Sequence, residues 1–550
     1  MKFFKLYILS VQSIIAYSDF PIYLALHQRN YNWLKEKLWN ISNPDSEEYG
    51  KYLSSYEILN KTSPSIYHRN QLIDWLHTNN MNNYNDYGDC FKVITNNKIV
   101  SSVFFTDNNN PLKYTIPKEV RHIIDFVEMS SNITLIKQIS KKYSKINIKG
   151  DKTVDTRIFS RESFLNLYNI TNDNISSSQL SGVIEYQNND GFLQSDLHQL
   201  QTLNNQIITN VTDIHGTNHG TDPESELDVQ ILSQTANGLN ISYWETPYWL
   251  YGLSIDLYNN ISIPNVVSMS WGWAEDSQCD IIQCINITSK DYVNRVNIEY
   301  IKLALRGTTI TVSSGDAGAP GRTSEFCDKT RGINPIFPGS SPYVTTVGAT
   351  FVEKDNSKIN FTSPLCINNS CITGTIEIPT NYDSVEWTSG GGFSLYTDAI
   401  PYWQNTHLTN YLNNNKQFLN FSRFNSNSRS YPDISAVGHN CPTIIDGQLN
   451  MLDGTSCSSP IIAGIISIIN YYKIIKNQSL VGFANPLLYK LSSNCPDCFN
   501  DITTGYNWCT ETMCCNDTYN YGFKAVVGFD PVSGLGTPNI GRILEYLNLL

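Results

Sequence analysis

Charge is scarce in this sequence. Only 16% of its 550 residues are Asp, Glu, Lys or Arg, and the basic ones are the minority, 38 against 50, for a net charge of −12. No lysines and arginines cluster into a patch, which argues against nucleic acid and anionic membrane surfaces as partners. Beyond the N-terminus no segment offers about 18 uninterrupted apolar residues, so no membrane span is predicted. What is plentiful is apolar material, 41% of the chain, enough for a large core and for two or three domains. A peptide or protein partner fits this composition.

The N-terminus, Met1-Lys2-Phe3-Phe4-Lys5 followed by a mostly apolar run to Tyr17, has the basic head and short apolar core of a signal peptide, predicted over 1–18. Thirteen cysteines in an exported chain predict disulfides, with one thiol left over by the odd count. Cys279/Cys284 and Cys366/Cys371 are near enough in sequence to close small loops. Cys495, Cys498, Cys509, Cys514 and Cys515 crowd the C-terminal region, where structural bridges are preferred to a zinc or redox site. Sequons such as Asn169-Ile-Thr, Asn210-Val-Thr, Asn286-Ile-Thr and Asn477-Gln-Ser agree with passage through a glycosylating compartment.

Residues 19–150 mix a helix-like pattern at Gln71 to His77 with a strand-like one at Phe91 to Thr95, and carry none of the chemical motifs. The basic, core-poor stretch from Lys141 to Asp151 has the composition of a linker. Beyond it, β-branched runs at Ile263 to Ser270, Thr308 to Ser314 and Tyr343 to Val347 alternate with glycine-rich turns and helices. Continuous apolar strands of this kind belong in a parallel sheet covered on both faces, so an α/β fold is predicted for 151–550. Its active residues should sit at strand carboxyl ends or first helical turns.

Three groups of residues could carry chemistry. Asp453-Gly454-Thr455-Ser456 leads into an apolar helical run from Ile461, which would present the Ser456 hydroxyl at the positive end of a helix. A serine alone is more often a plain cap, and it needs a base. His215-Gly216-Thr217-Asn218-His219 resembles the His-Gly-Thr of subtilisins, but residues 150–214 hold neither the Asp-Ser-Gly nor the Asp-Thr-Gly that such a triad needs. The glycines also spoil the helix that a zinc-binding histidine pair would require. In Asp222-Pro223-Glu224-Ser225-Glu226-Leu227-Asp228, proline suits a first helical turn and Glu224 and Asp228 share one face. Adjacent carboxylates cannot both ionise easily, so the pair can hold and move one proton in acid.

With these motifs, residues from about 155 onward resemble the sedolisin, or serine-carboxyl peptidase, family, and within it the lysosomal tripeptidyl-peptidase branch. The preceding segment resembles that branch's propeptide, at Leu38 to Pro44 and Tyr49 to Leu53. The resemblance implies a subtilisin-like parallel sheet preceded by an α+β, antiparallel-sheet prodomain over 19–150, and a zymogen whose prodomain covers the cleft as an intramolecular inhibitor. Self-cleavage is expected near Lys149 to Asp155, once acid weakens the prodomain's electrostatic contacts. It also implies a Glu224 base with its Asp228 partner, a Ser456 nucleophile, and Asp316 of Ser314-Gly315-Asp316-Ala317-Gly318 facing the oxyanion. A protonated carboxyl can donate to that oxygen where an ionised one would repel it.

The resemblance further implies a substrate cleft at Ser270-Trp271-Gly272 and Ser389-Gly390-Gly391, where glycines let an extended peptide approach the backbone. One structural Ca²⁺ is implied at Asp501 and Asp530 with the carbonyls of Ile502, Val526 and Gly528, and a bridge from Cys327 to one of Cys509, Cys514 or Cys515. The sequence departs from the family in having Asp453 in place of serine, and Cys457, a thiol open to oxidation, directly after the nucleophile. Trp273-Ala274-Glu275 stands where the tripeptidyl branch has an acidic residue straight after glycine. The expected activity is tripeptide release from free N-termini in a lysosome or acidic vacuole, or in the extracellular space. The alternatives are an endopeptidase of the same family, a neutral histidine-dependent subtilase, and an inactive peptide-binding glycoprotein.

Overall fold

Two sheets of opposite character organise the chain in the computed structural model, which describes residues 19–104, 115–129, 144–145, 161–175, 179–186, 191–282, 284, 287–354, 366–367, 370–371, 375–516 and 518–550. The first is antiparallel and N-terminal: Phe20–Leu26 lies between Cys90–Thr95 and Ile124–Glu128, with Tyr84–Asp86 at one edge. Side chains alternate across a strand, and here the alternation divides two cores. Ile22, Leu24 and Leu26 join Phe91 and Val93 in the domain's own interior. Tyr23 and Ala25 point the other way, with Cys90 and Phe126, into the C-terminal domain. The helix predicted around Gln71 to His77 runs Ile66–Thr78.

The second sheet carries the rest. Asp213–His215, Asn240–Glu245, Leu180–Glu185, Val266–Met269, Thr309–Ser313 and Thr345–Lys354 lie side by side and parallel. Ile434–Val437 adds in parallel beyond Thr345–Lys354, while Thr375–Pro379 pairs with it antiparallel. Val266–Met269 and Thr309–Ser313 are buried at every position, as apolar runs covered on both faces must be.

Two helices bring the chemistry together. Pro223–Thr235 starts cleanly because Pro223 fits its first turn and the Asp222 carboxylate accepts the N–H groups of Glu224 and Ser225. It packs along Thr455–Ile475, where a Cβ on Gly464 would stand 2.6 Å from the Cβ of Thr235. Thr455–Ile475 is long and apolar enough to cross a bilayer, but 78% of its apolar window is buried inside the fold. It is a core helix.

The propeptide-like segments are the docking surface between the domains. Leu38 and Ile41 enter the shared core, the Tyr52 hydroxyl donates to Leu480 O at 2.8 Å, and Leu53 N–H donates to Leu305 O at 2.9 Å. Below them Lys302 is buried against Asp89 and Glu299, and Glu128 accepts from Gly252 N–H and the Tyr292 hydroxyl. The predicted signal peptide and cleavage region lie outside the described residues. Of the linker only Ser144–Lys145 is described, paired antiparallel to Asn450 and Met451 on the strand that leads to Ser456.

Disulfides join Cys279 to Cys284 as expected, Cys327 to Cys515, Cys509 to Cys514 and Cys495 to Cys498. The C-terminal cysteines are therefore bridges. Cys366 and Cys371 face each other in backbone register, their side chains lying outside those described. Cys90 is a buried free thiol. One expectation is corrected: Cys457 is bonded to Cys441, so no free thiol follows Ser456.

Candidate active site

Ser456 stands second in the Thr455–Ile475 helix, behind a Gly454 whose φ of +148° favours glycine. A Cβ there would sit 3.5 Å from Asp316 Oδ2, an ordinary contact, so it is the backbone conformation and not space that calls for glycine. Asp316 comes from the turn after Thr309–Ser313. Its Oδ1 accepts both the N–H and the hydroxyl of Thr455, each at 2.8 Å, which leaves Oδ2 to the cleft. The Thr455 hydroxyl in turn accepts Gly315 N–H at 3.1 Å. Thr455, not foreseen as a site residue, thus locks the serine turn to the aspartate turn.

Glu224 enters from the first turn of its helix, and Asp228 lies one turn deeper, fully buried. The Ser270 hydroxyl donates to Asp228 Oδ2 at 2.5 Å and itself lies 3.4 Å from Ser456 O. The Ser270 side chain therefore serves Asp228 although the residue also lines the cleft. Glu224, Ser456, Asp316, Ser270, Trp271 and Gly272 border one cavity. Trp273, Ala274, Ile336 and Tyr431 add apolar wall, and Arg322, 3.4 Å from Glu511, adds a cation. Glu185, at the carboxyl end of a central strand, accepts the Trp271 indole N–H at 2.7 Å and fixes that wall. Nothing near Glu185 in the chain marks it as a site residue.

No histidine borders the cavity. His215 is stacked on Trp244, ring centroids 3.7 Å apart, with Nε2 3.0 Å from Asp213. Ser389, Gly390 and Gly391 do not border it either. Added Cβ atoms would meet Ser314 O at 2.0 Å and Pro531 O at 2.1 Å, so the two glycines admit the protein's own backbone. Far along the chain, the loops of the implied calcium set do converge: Asp501 Oδ2 accepts Gly528 N–H at 2.8 Å and Asp530 Oδ2 accepts Val526 N–H at 2.9 Å.

Comparison with known proteins identifies the family. Residues 12–132 match the Pro-kumamolisin activation domain and 249–480 the Subtilase family. A solved Pseudomonas sedolisin, described as a serine-carboxyl proteinase, shares the fold with a TM-score of 0.53 at 21% identity, covering 72% of this chain and 98% of that one. Physarolisin of Physarum polycephalum is 32% identical over 96% of this chain and 94% of that protein. The chain belongs to the sedolisin family of serine peptidases. This sedolisin is also 29% identical to tripeptidyl-peptidase 1 of Dictyostelium discoideum, over 98% of this chain and 90% of that protein. The human tripeptidyl-peptidase 1 is 28% identical over 96% and 92%. With an activation domain ahead of its catalytic domain, this sedolisin is made as a zymogen.

Proposed function

We propose that this protein is an acid-active serine-carboxyl peptidase that releases tripeptides from free N-termini once its prodomain is removed. The observation that carries the reading is one cavity bordered by Ser456, Glu224 and Asp316 and by no histidine. Glu224, coupled to Asp228, takes the Ser456 proton as the oxygen attacks the scissile carbonyl, then passes it to the leaving amine. Asp316, as a neutral carboxyl, donates to the oxyanion. Water, activated by the same glutamate, attacks the acyl-enzyme and restores the serine. Activity therefore fades as the acids ionise. The test is turnover by Ser456→Ala and Glu224→Gln in acid: both should be inactive, and wild-type turnover in Glu224→Gln would contradict the mechanism.

Buried acids elsewhere favour an acidic workplace. Burial pushes the carboxyls of Glu128 and Glu275 up to about 7 and that of Glu226 up to about 8, and among the described residues no lysine or arginine pairs with any of them. The disulfides suit an exported chain in an oxidising compartment, reached through a signal peptide over 1–18, with the lysosome or an acidic vacuole as the place of action. For one structural Ca²⁺, the carboxylates of Asp501 and Asp530 with the carbonyls of Ile502, Val526 and Gly528 would supply the hard oxygen set that calcium prefers. Chelation should lower the melting temperature.

A second reading, cleavage of internal bonds, is favoured by Trp273. It borders the cavity straight after Gly272, where a carboxylate could hold a substrate ammonium, and the next acid, Glu275, is turned onto the Ser394 hydroxyl and Leu395 N–H. Acetylating a substrate's N-terminus separates the two. Loss of cleavage supports tripeptide release, and persistence supports the endopeptidase.

A further inference from the structure

The helix that begins with Thr455 has Gly454 at its N-cap, so no N-cap side chain holds its first turn, and the Asp316 carboxylate takes the N–H of Thr455 from another loop. Its first turn nevertheless has to hold the Ser456 oxygen in register with Glu224 and Asp316. The residues on either side of the turn are fastened as well, and to one short segment. On the N-terminal side the Asp453 carboxylate accepts Asn440 N–H at 2.7 Å through Oδ1 and His439 Nδ1–H at 2.9 Å through Oδ2. The Asn440 side-chain amide meets the other ring nitrogen of His439 at 3.0 Å. Gly454 N–H donates to Gly438 O at 2.9 Å. On the C-terminal side Cys457 is bonded to Cys441, and both are 1% exposed. The segment 438–441 continues the strand Ile434–Val437 of the main sheet, so its position is set by the core.

We infer that Asp453, acting through His439 and Asn440, and the Cys441–Cys457 disulfide are positioning elements that clamp the Ser456 turn to the sheet from both sides. The inference rests on Ser456 being the nucleophile. Neither aspartate nor disulfide touches the reacting atoms. Their effect is on where the hydroxyl stands, so it belongs in kcat and not in KM, because the cavity walls that bind peptide do not depend on them.

The test compares the processed enzyme from full-length wild type with Asp453→Ala, Asp453→Asn, His439→Gln and the paired Cys441→Ser/Cys457→Ser variant. The readouts are kcat per serine titrated by a covalent serine reagent, KM, and melting temperature, at a temperature well below melting. Asp453→Ala and the cysteine pair should lose about 10- to 100-fold in kcat with KM unchanged. Asp453→Asn, which keeps an acceptor for Asn440 N–H, should recover most of the loss, and His439→Gln should fall between. If the cysteine pair does not fold, the Asp453 and His439 variants decide alone. Wild-type kcat in folded Asp453→Ala and His439→Gln would overturn the inference, as would a loss that Asp453→Asn does not relieve. An inactive wild type would instead refute the proposed function, so the two failures are distinguishable.

Discussion

Thr455 shows how much of the site a single side chain settles. Its N–H and hydroxyl both end on Asp316 Oδ1, and replacing it by valine keeps the shape but leaves Gly315 N–H and half of the carboxylate's partners unmet. Thr455→Val should cost about 1–3 kcal/mol of stability and lower kcat by about 10²-fold through misplacement of Asp316. Peptidase assays and thermal melts on the variant check both. As candidates, Ser456, Glu224 and Asp228 stand out in the sequence through local motifs with a chemical reason for their spacing, whereas Asp316 stands out only through the family resemblance. The Thr455 to Asp316 link was not legible in the sequence, since 139 residues separate its ends. The same holds for the bond of Cys457 to Cys441 and for the turning of Glu275 onto Ser394, which only folding decides.

Strand and helix identities were read with more success than their purposes. The expected strands at Ile263 to Ser270, Thr308 to Ser314 and Tyr343 to Val347 appear as Val266–Met269, Thr309–Ser313 and Thr345–Lys354, because β-branched apolar runs have few other places to go. The glycines at 390 and 391 were read as leaving room for substrate, and the room is taken by neighbouring backbone. A sequence shows that a position needs glycine without showing what comes close to it. Gly391→Ala should therefore lower the melting temperature with KM for peptide unchanged, and a rise in KM alone would return the residue to the substrate cleft. Gly464 is governed by the same contact logic. Gly464→Val would overpack the junction with Thr235 and cost about 1–3 kcal/mol, measurable by denaturant unfolding.

At the scale of the molecule, acid acts on the two-domain zymogen in a direction the sequence did not indicate. Glu128, with its carboxyl raised to about 7 by burial, contributes stability that is full below the ordinary carboxylate value and lost as pH rises through about 7. Asp89 has the opposite sign. Burial works to raise its pKa, but Lys302 and Arg295 outweigh that and hold it below its usual value. Its contribution persists above that usual value and is lost only as pH falls through the depressed one. Mild acid thus tightens the docked prodomain at Glu128 and spares the Asp89 contact. The described prodomain residues border none of the cavity, and they pack against the helices Leu250–Asn259 and Ser289–Leu305. The full-length Ser456→Ala zymogen should melt at a higher temperature at pH 5 than at pH 7.5, and Glu128→Gln should shrink that difference.

The proposed function turns on carboxyl groups, and not an imidazole, activating Ser456. Its most direct test is kcat/KM of the processed wild-type enzyme measured from about pH 4 to pH 7, the range in which histidine loses its proton. The carboxyl mechanism predicts activity greatest at the acidic end and falling steadily toward neutrality. Activity that climbs toward pH 7 would contradict it.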